Sequence, residues 1–151
     1  MEKMKMETLS SLIIEWAKEK NIDNKERQYL KIVEEVGETC GAILKNNREE
    51  IIDGIGDIGV TIIIYAWQRH SNLDFEKCRE TQEKEITTSE DVIVENIFES
   101  LYEYNSSQAL IHTVSLANKL GLNFEDCLNS AWQVIKDRKG KTVDGTFIKN
   151  S

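Results

Sequence analysis

The chain has 151 residues, of which 40% are hydrophobic and 30% are charged, and this composition predicts one folded, soluble domain. It contains no proline and only 8 glycines, which disfavours all-β folds because their many turns draw on those two residues. A formal net charge of −8 repels phosphate backbones, so a nucleic acid polymer is not expected as a partner.

Cysteine usage and hydropathy give the expected compartment. The three cysteines form no CxxC pair, so neither a disulfide framework nor a zinc site is indicated, and a reduced, cytoplasmic setting is expected. The first residues lack the apolar stretch of a signal peptide. The longest apolar run, residues 58–67, is too short to cross a bilayer, so no membrane partner is expected.

Apolar residues recur every three or four positions and predict helices along most of the chain. In chain order, the predicted helices cover about residues 8–20, 24–45, 48–69, a short stretch after 74, then 90–104, 108–120 and 124–139. Thr8 or Ser10 is the expected N-cap of the first helix. Asn24, or Asp23 before it, is expected to begin the second, and the capping-box-like residues 47–50 the third.

The end of the chain departs from the helical pattern. Asp144 and Gly145 lie between short alternating segments and predict a tight β-turn. The expected fold is therefore all-α, a helical bundle with a short C-terminal β-hairpin. It forms a single domain over residues 1–151, with the helical core at about 8–139 and the hairpin at about 141–149. Several helices are apolar on more than one side, which favours a homo-oligomer, a dimer or a tetramer.

Two acidic stripes carry the strongest chemical signal. Glu35 and Glu38 lie about 60° apart around the axis of the second helix, and Glu50, Asp53 and Asp57 share one face of the third. The two helices are joined by a short Asn-Asn turn, so they run antiparallel and the stripes can face each other. The pattern predicts a cluster of carboxylates.

The chemistry of such a cluster points to hard divalent cations. Oxygen ligands without His or Cys suit Mg²⁺ or Mn²⁺. A ferritin-like di-iron site would need Glu-x-x-His pairs, which neither His70 nor His112 forms. Gly37, Gly54 and Gly56 would allow close helix approach or leave room for a ligand. A solvated acidic face without a ligand is the alternative.

Two blocks of the sequence resemble the MazG-like nucleotide pyrophosphohydrolases of the all-α NTP pyrophosphatase superfamily, particularly the small phage-type members. The first block joins KIVEEVGE at residues 31–38 to DGIGDI at residues 53–58, and it looks like the family's ExxE followed by ExxD. The second, AWQVIKDRKGK at 131–141 with VDGTFIK at 143–149, is similar to the closing segment of phage-type members. The resemblance implies metal-dependent hydrolysis of an NTP or dNTP to the monophosphate and pyrophosphate.

The resemblance also implies a ligand set for magnesium, with manganese as a substitute. The residues that match the motif as metal ligands are Glu35, Glu38 and Asp57. Where ExxD would place a glutamate, the chain has Gly54, so the fourth ligand is expected to be Asp53 or Glu50.

Further residues receive roles in this reaction. Glu34, outside the ligand set, is expected to orient or deprotonate the attacking water. Lys31 and Gln28 share the helix face of Glu35 and are expected to contact the substrate, although Lys31 could also only pair with a carboxylate.

The basic segment near residue 140 has two interpretations. Lys136 and Arg138 would bind phosphates, but basic residues also commonly end helices, where they complement the helix dipole. Trp16, Trp67 and Trp132 lie in apolar helical patterns and are assigned to the core rather than to a base-stacking role.

Two other functions stay open at this stage. A narrower enzyme of the same superfamily would act on dUTP or dCTP. A catalytically inactive helical interaction module would also fit, and in it Gly54 would mark a lost ligand.

Overall fold

The computed structural model describes residues 4–150 of the chain. The fold is all-α with a short antiparallel hairpin, as predicted. The helices are α1 Met6–Glu19, α2 Lys25–Leu44, α3 Arg48–Gln68, α4 Phe75–Gln82, α5 Glu90–Tyr102, α6 Ser106–Lys119 and α7 Phe124–Ile135, and the strands are β1 Gly140–Val143 and β2 Thr146–Lys149. No helix within residues 4–150 is long and apolar enough to cross a membrane.

Side-chain caps begin four of the helices at the predicted positions. The side chains of Asn24, Asn47, Asp74 and Asn123 each accept a hydrogen bond from the backbone N–H three residues further on. Each cap satisfies one of the amide groups that a helix leaves unpaired in its first turn. These short-range hydrogen bonds explain why the starts of α2, α3, α4 and α7 could be predicted.

Four predicted helix boundaries were wrong by two to four residues, one of them the end of α5, which was expected at residue 104 and lies at Tyr102. Helix α1 begins at Met6, where the buried Met6 side chain joins the core, and Ser10 is buried within the helix rather than capping it. Helix α6 begins at Ser106 because Asn105 accepts a hydrogen bond from the Gln108 amide. Helix α7 ends at Ile135, because the chain turns there toward β1.

Helix α3 is the centre of the fold and packs against α1, α2, α6 and α7. Its glycines permit this packing. A Cβ added at Gly54 would collide with the Thr39 side chain on α2, and one added at Gly59 would lie 2.7 Å from Cζ of Phe124 on α7. By contrast, Gly37 on α2 has open space around it. The predicted close approach therefore applies to the α3 glycines and not to Gly37.

The hairpin turns at Asp144 and Gly145, both of which have positive φ, as a type I′ turn requires. It docks on the loop between α1 and α2. The Asn24 amide donates to the Asp144 carbonyl oxygen at 3.0 Å, and Thr142 Oγ1 donates to the Lys20 carbonyl oxygen. These contacts place β2 beside α2, next to the acidic stripe.

The three cysteines are free thiols. Cys78 and Cys127 are buried, and burial raises the pKa of both thiols. Cys40 on α2 is half-buried, and burial raises the pKa of its thiol as well.

Candidate functional site

A pocket of about 380 Å³ lies between α2, α3, the residues after α7, and the hairpin. It brings together most of the residues that sequence analysis singled out. The predicted site residues that line it are Gln28, Lys31, Glu34, Glu35, Glu38, Asp57 and Arg138. Residues that are far apart in the sequence thus meet around one cavity.

Helix α2 contributes its pocket residues through simple spacing. Gln28, Lys31, Glu35 and Glu38 follow one another at intervals of three or four residues, so their side chains leave one face of the helix. Gln28 is only 5% exposed, and its Nε2 donates to the Thr61 carbonyl oxygen of α3 at 3.0 Å. This hydrogen bond ties the two acidic helices together beside the pocket.

Burial and mutual repulsion shift the carboxyl groups of the pocket. Burial, together with the charges of Asp57 and Glu38, raises the pKa of Glu35 to about 7. Burial, together with the charges of Asp53 and Glu38, likewise raises the pKa of Asp57 to about 6. The pocket therefore holds carboxylates that ionise with difficulty unless positive charge is brought to them.

The cations around the pocket offset only part of the rise in the carboxyl pKa values. Lys31 lowers the pKa of Glu35, and Arg138 and Lys149 lower the pKa of Asp57, yet both carboxyl pKa values stay raised. Lys31 is already engaged, because its Nζ lies 2.6 Å from Oε1 of Glu34. Protonation, or a divalent cation bound among the carboxylates, would relieve the remaining repulsion.

The carboxylate oxygens at the pocket are chemically suited to a hard cation, but they are not already arranged around one point. Glu35, Glu38 and Asp57 offer carboxylate oxygens, which suit magnesium or manganese. Within residues 4–150, however, no group of three or more His, Cys, Asp or Glu side chains is already arranged to hold an ion. Side-chain rotation would have to draw the three carboxylates together around a cation.

Three predicted site residues lie outside the pocket. Glu50 is exposed in the first turn of α3, where its carboxylate lies 3.6 Å from the Lys45 ammonium. Asp53 is exposed one turn before Asp57, near enough to raise the pKa of Asp57 but not to line the cavity. Lys136 is exposed as the C-cap of α7. The predicted roles of Glu50, Asp53 and Lys136 at the site are not supported by this geometry.

The structure adds pocket residues that were not predicted. Trp16, assigned to the core, also lines the pocket, and its ring meets that of Phe147 edge to face. Lys149 lines the pocket from β2. All four residues of β2 line the pocket, so strand alternation alone would not have singled out Lys149. Its place at the site follows from the docking of the hairpin.

The lining combines two kinds of chemistry. Beside the charged residues it has apolar side chains, among them Ile64 of α3, Ile135 of α7 and Phe147 of β2. Such a cavity can hold a ligand that carries both a planar apolar part and a highly charged part.

Comparisons with known proteins give little on function. No family model matches the chain. A protein of Haemophilus phage HP1 (strain HP1c1), named as an uncharacterized 18.2 kDa protein in the rep-hol intergenic region, is 35% identical over 75 residues. The match covers 48% of this chain and 46% of the phage protein, so it spans less than half of that relative. No solved structure matches.

Proposed function

We propose that the protein is a metal-dependent nucleoside triphosphate pyrophosphohydrolase, which converts an NTP or dNTP to the monophosphate and pyrophosphate. The observation that carries the proposal is the convergence of Glu35, Glu38 and Asp57 with Arg138 and Lys149 around one cavity that also has an apolar wall. The resemblance of these segments to MazG-like enzymes supports the same reaction.

Glu35, Glu38 and Asp57 are the residues that would hold the metal. Bound there, magnesium, or manganese in its place, would neutralise phosphate charge and stabilise the leaving pyrophosphate. The raised pKa values of Glu35 and Asp57 support this role, because a cation lowers the cost of ionising both groups.

Glu34 is the proposed general base. The water oxygen bonds to the α-phosphorus, the bond from that phosphorus to the oxygen bridging to the β-phosphorus breaks, and pyrophosphate leaves with that oxygen. Glu34 takes the proton from the water. Its ion pair with Lys31 fixes the carboxylate at the wall of the pocket.

The cationic and apolar residues would bind the substrate. Arg138 can donate two parallel hydrogen bonds to a phosphate, and Lys149 offers a point charge, while Lys31 stays paired with Glu34. Trp16 and Phe147 would contact the base through their apolar ring surfaces.

Measurement of pyrophosphate release tests the proposal. Canonical and modified NTPs and dNTPs are incubated with the protein in magnesium, in manganese and in EDTA. We expect pyrophosphate release that depends on the metal. Its rate should fall at least a hundredfold in Glu38→Gln and Asp57→Asn, which is the usual effect of removing a group that stabilises the transition state electrostatically. Glu50→Gln, which changes an exposed carboxylate outside the pocket, is the matched control and should keep full activity.

The same panel separates the alternatives. If only dUTP or dCTP is hydrolysed, the protein is the enzyme with the narrower substrate range. A folded protein that releases no pyrophosphate from any substrate would contradict the enzyme and favour the inactive interaction module. Activity that survives in Glu38→Gln and Asp57→Asn would refute the assignment of the site.

We also expect the protein to form a dimer or a tetramer. Leu30 and Leu44 on α2 are 63% and 84% exposed, and α3 is the one helix against which α2 packs extensively within the described residues. Light scattering coupled to size-exclusion chromatography should therefore give a mass of two or four chains, and a monomeric mass would contradict the expectation.

A further inference from the structure

A second cavity, of about 670 Å³, lies between the start of α2, the end of α3 and the end of α5. It shares no lining residue with the carboxylate pocket. All four tyrosines of the chain line it: Tyr29, Tyr65, Tyr102 and Tyr104. We call this cavity the tyrosine cleft.

Arg69 lies within the cleft and is held by aromatic rings. Its guanidinium carbon is 4.2 Å from the centroid of the Tyr104 ring and 5.7 Å from that of Tyr65. No carboxylate of residues 4–150 lies within ion-pair distance of it. Ring contacts attract a guanidinium but carry no net charge, so its positive charge stays available to an anion.

The walls of the cleft are open to a ligand. Tyr102 is 82% exposed and Tyr104 is 63% exposed. Tyr104 has a φ of 58°, a backbone conformation that favours glycine, yet the chain has an aromatic residue there whose ring covers Arg69. Lys25 adds a second cation at the edge of the cleft, and Glu26 is its single acidic lining residue.

We propose that the tyrosine cleft is a second binding site, for a nucleotide. A nucleobase would stack on the exposed ring of Tyr102 beside the half-buried ring of Tyr29, since such stacking tolerates any base. The phosphate would accept hydrogen bonds from the Arg69 guanidinium and pair with the Lys25 ammonium. The proposal is independent of the reaction proposed for the carboxylate pocket.

Calorimetric titration with AMP in the presence of EDTA tests this site, since a metal-dependent mode of binding in the carboxylate pocket is then suppressed. We expect AMP to bind, and Arg69→Gln to weaken its binding about tenfold through loss of a charge-assisted phosphate contact. Tyr102→Ala should weaken it about fivefold or more through loss of stacking. Because Tyr102 is 82% exposed, this second variant does not threaten folding.

Two controls locate the binding. Arg138→Gln removes a cation from the carboxylate pocket and should leave AMP affinity in the cleft unchanged. Val134→Ala changes a 58% exposed side chain outside both cavities and should also have no effect.

Two partial ligands test the chemistry. Adenosine lacks the phosphate and inorganic phosphate lacks the ring, so each should bind about tenfold more weakly than AMP or worse. The proposal is overturned by an absence of AMP binding at millimolar concentration, by equal affinity for either partial ligand, or by binding that Arg138→Gln removes while Arg69→Gln and Tyr102→Ala do not.

Discussion

The ring of Phe147 lies edge to face against the ring of Trp16, with centroids 5.1 Å apart and planes inclined by 67°. This pair joins the C-terminal hairpin to the first helix. The Lys20 ammonium, 5.7 Å from the centroid of the Phe147 ring, contacts the same ring. Because Lys149 follows two residues later on the same strand, the aromatic pair also sets the position of a cation of the carboxylate pocket.

Loss of the Phe147 ring should release the hairpin. We expect Phe147→Ala to lower the free energy of unfolding by about 1–3 kcal/mol, as for a partly buried aromatic side chain. Trypsin should also cut faster in the basic segment 136–141. Denaturant unfolding and timed proteolysis measure the two effects. Val143→Ala, at a 44% exposed hairpin position, is the control and should change neither.

The raised carboxyl pKa values predict how stability depends on pH in EDTA. The pKa of Glu35 is raised from its usual 4.5 to about 7 in the folded state, so its protonated form stabilises the fold below about pH 4.5. That contribution is lost as the pH rises through 7, and Asp57 behaves in the same way around pH 6. We expect a loss on the order of 1–2 kcal/mol between pH 5 and 8, allowing for solvent screening.

Comparison with Glu35→Gln isolates this effect. The amide does not titrate, so the variant should lose less stability than the wild type over the same pH range. Melting temperatures at pH 5 and pH 8 give the difference directly. Equal losses in the two proteins would show that Glu35 is not the group responsible.

The glycines of α2 and α3 should respond to alanine in opposite directions. A Cβ at Gly56 would collide with the backbone carbonyl of Cys127 on α7, which cannot rotate away, so Gly56→Ala should cost about 1–3 kcal/mol. A Cβ at Gly41 on α2 meets nothing within 4 Å, so Gly41→Ala should gain about 0.5–1 kcal/mol from helix propensity. Chemical denaturation measures both, and a stabilising Gly56→Ala would contradict the packing of α3 on α7.

Two lysines near the end of the chain should differ in their effect on the proposed activity. Lys149 lines the pocket, and Lys136 is exposed outside it. We expect Lys149→Ala to raise the KM for a triphosphate about tenfold, which corresponds to one lost charged contact. Lys136→Ala should leave KM unchanged. A larger increase in KM for Lys136→Ala than for Lys149→Ala would mean that Lys136, and not Lys149 of the hairpin, contacts the phosphates.

The fold could be predicted from sequence wherever a short-range interaction determined it. The caps Asn24 and Asn47, the Asp144-Gly145 turn and the apolar periodicity all act over a few residues. The start of α1 was missed because Met6 is held by burial in the core, with no side-chain cap at Lys5. Whether a residue at the start of a helix is buried depends on the whole fold. The apolar periodicity of one helix carries no information about how the other helices pack against it.

The site was predictable on α2 and less so elsewhere. Helical spacing alone places Glu35 and Glu38 on the face that lines the pocket. On α3, spacing could not tell which turn faces the pocket, so Asp53 was included beside Asp57. Trp16 shows a further limit, because an apolar pattern looks the same for a core residue and for the wall of a cavity. The position of Lys149 at the pocket depends on how the hairpin docks, which is a contact between segments over a hundred residues apart.

Because two of the three thiols are buried, the third cysteine is the position at which the unmodified chain can be labelled chemically. Cys78 and Cys127 are enclosed in the core, while the half-buried Cys40 is the cysteine that a maleimide dye can reach. Thiolate is the reactive form and burial raises the pKa of all three thiols, so coupling at Cys40 should be slow but selective. A fluorophore attached there would lie on the same helix as Glu35 and Glu38 and could report on ligand entry without any engineered substitution.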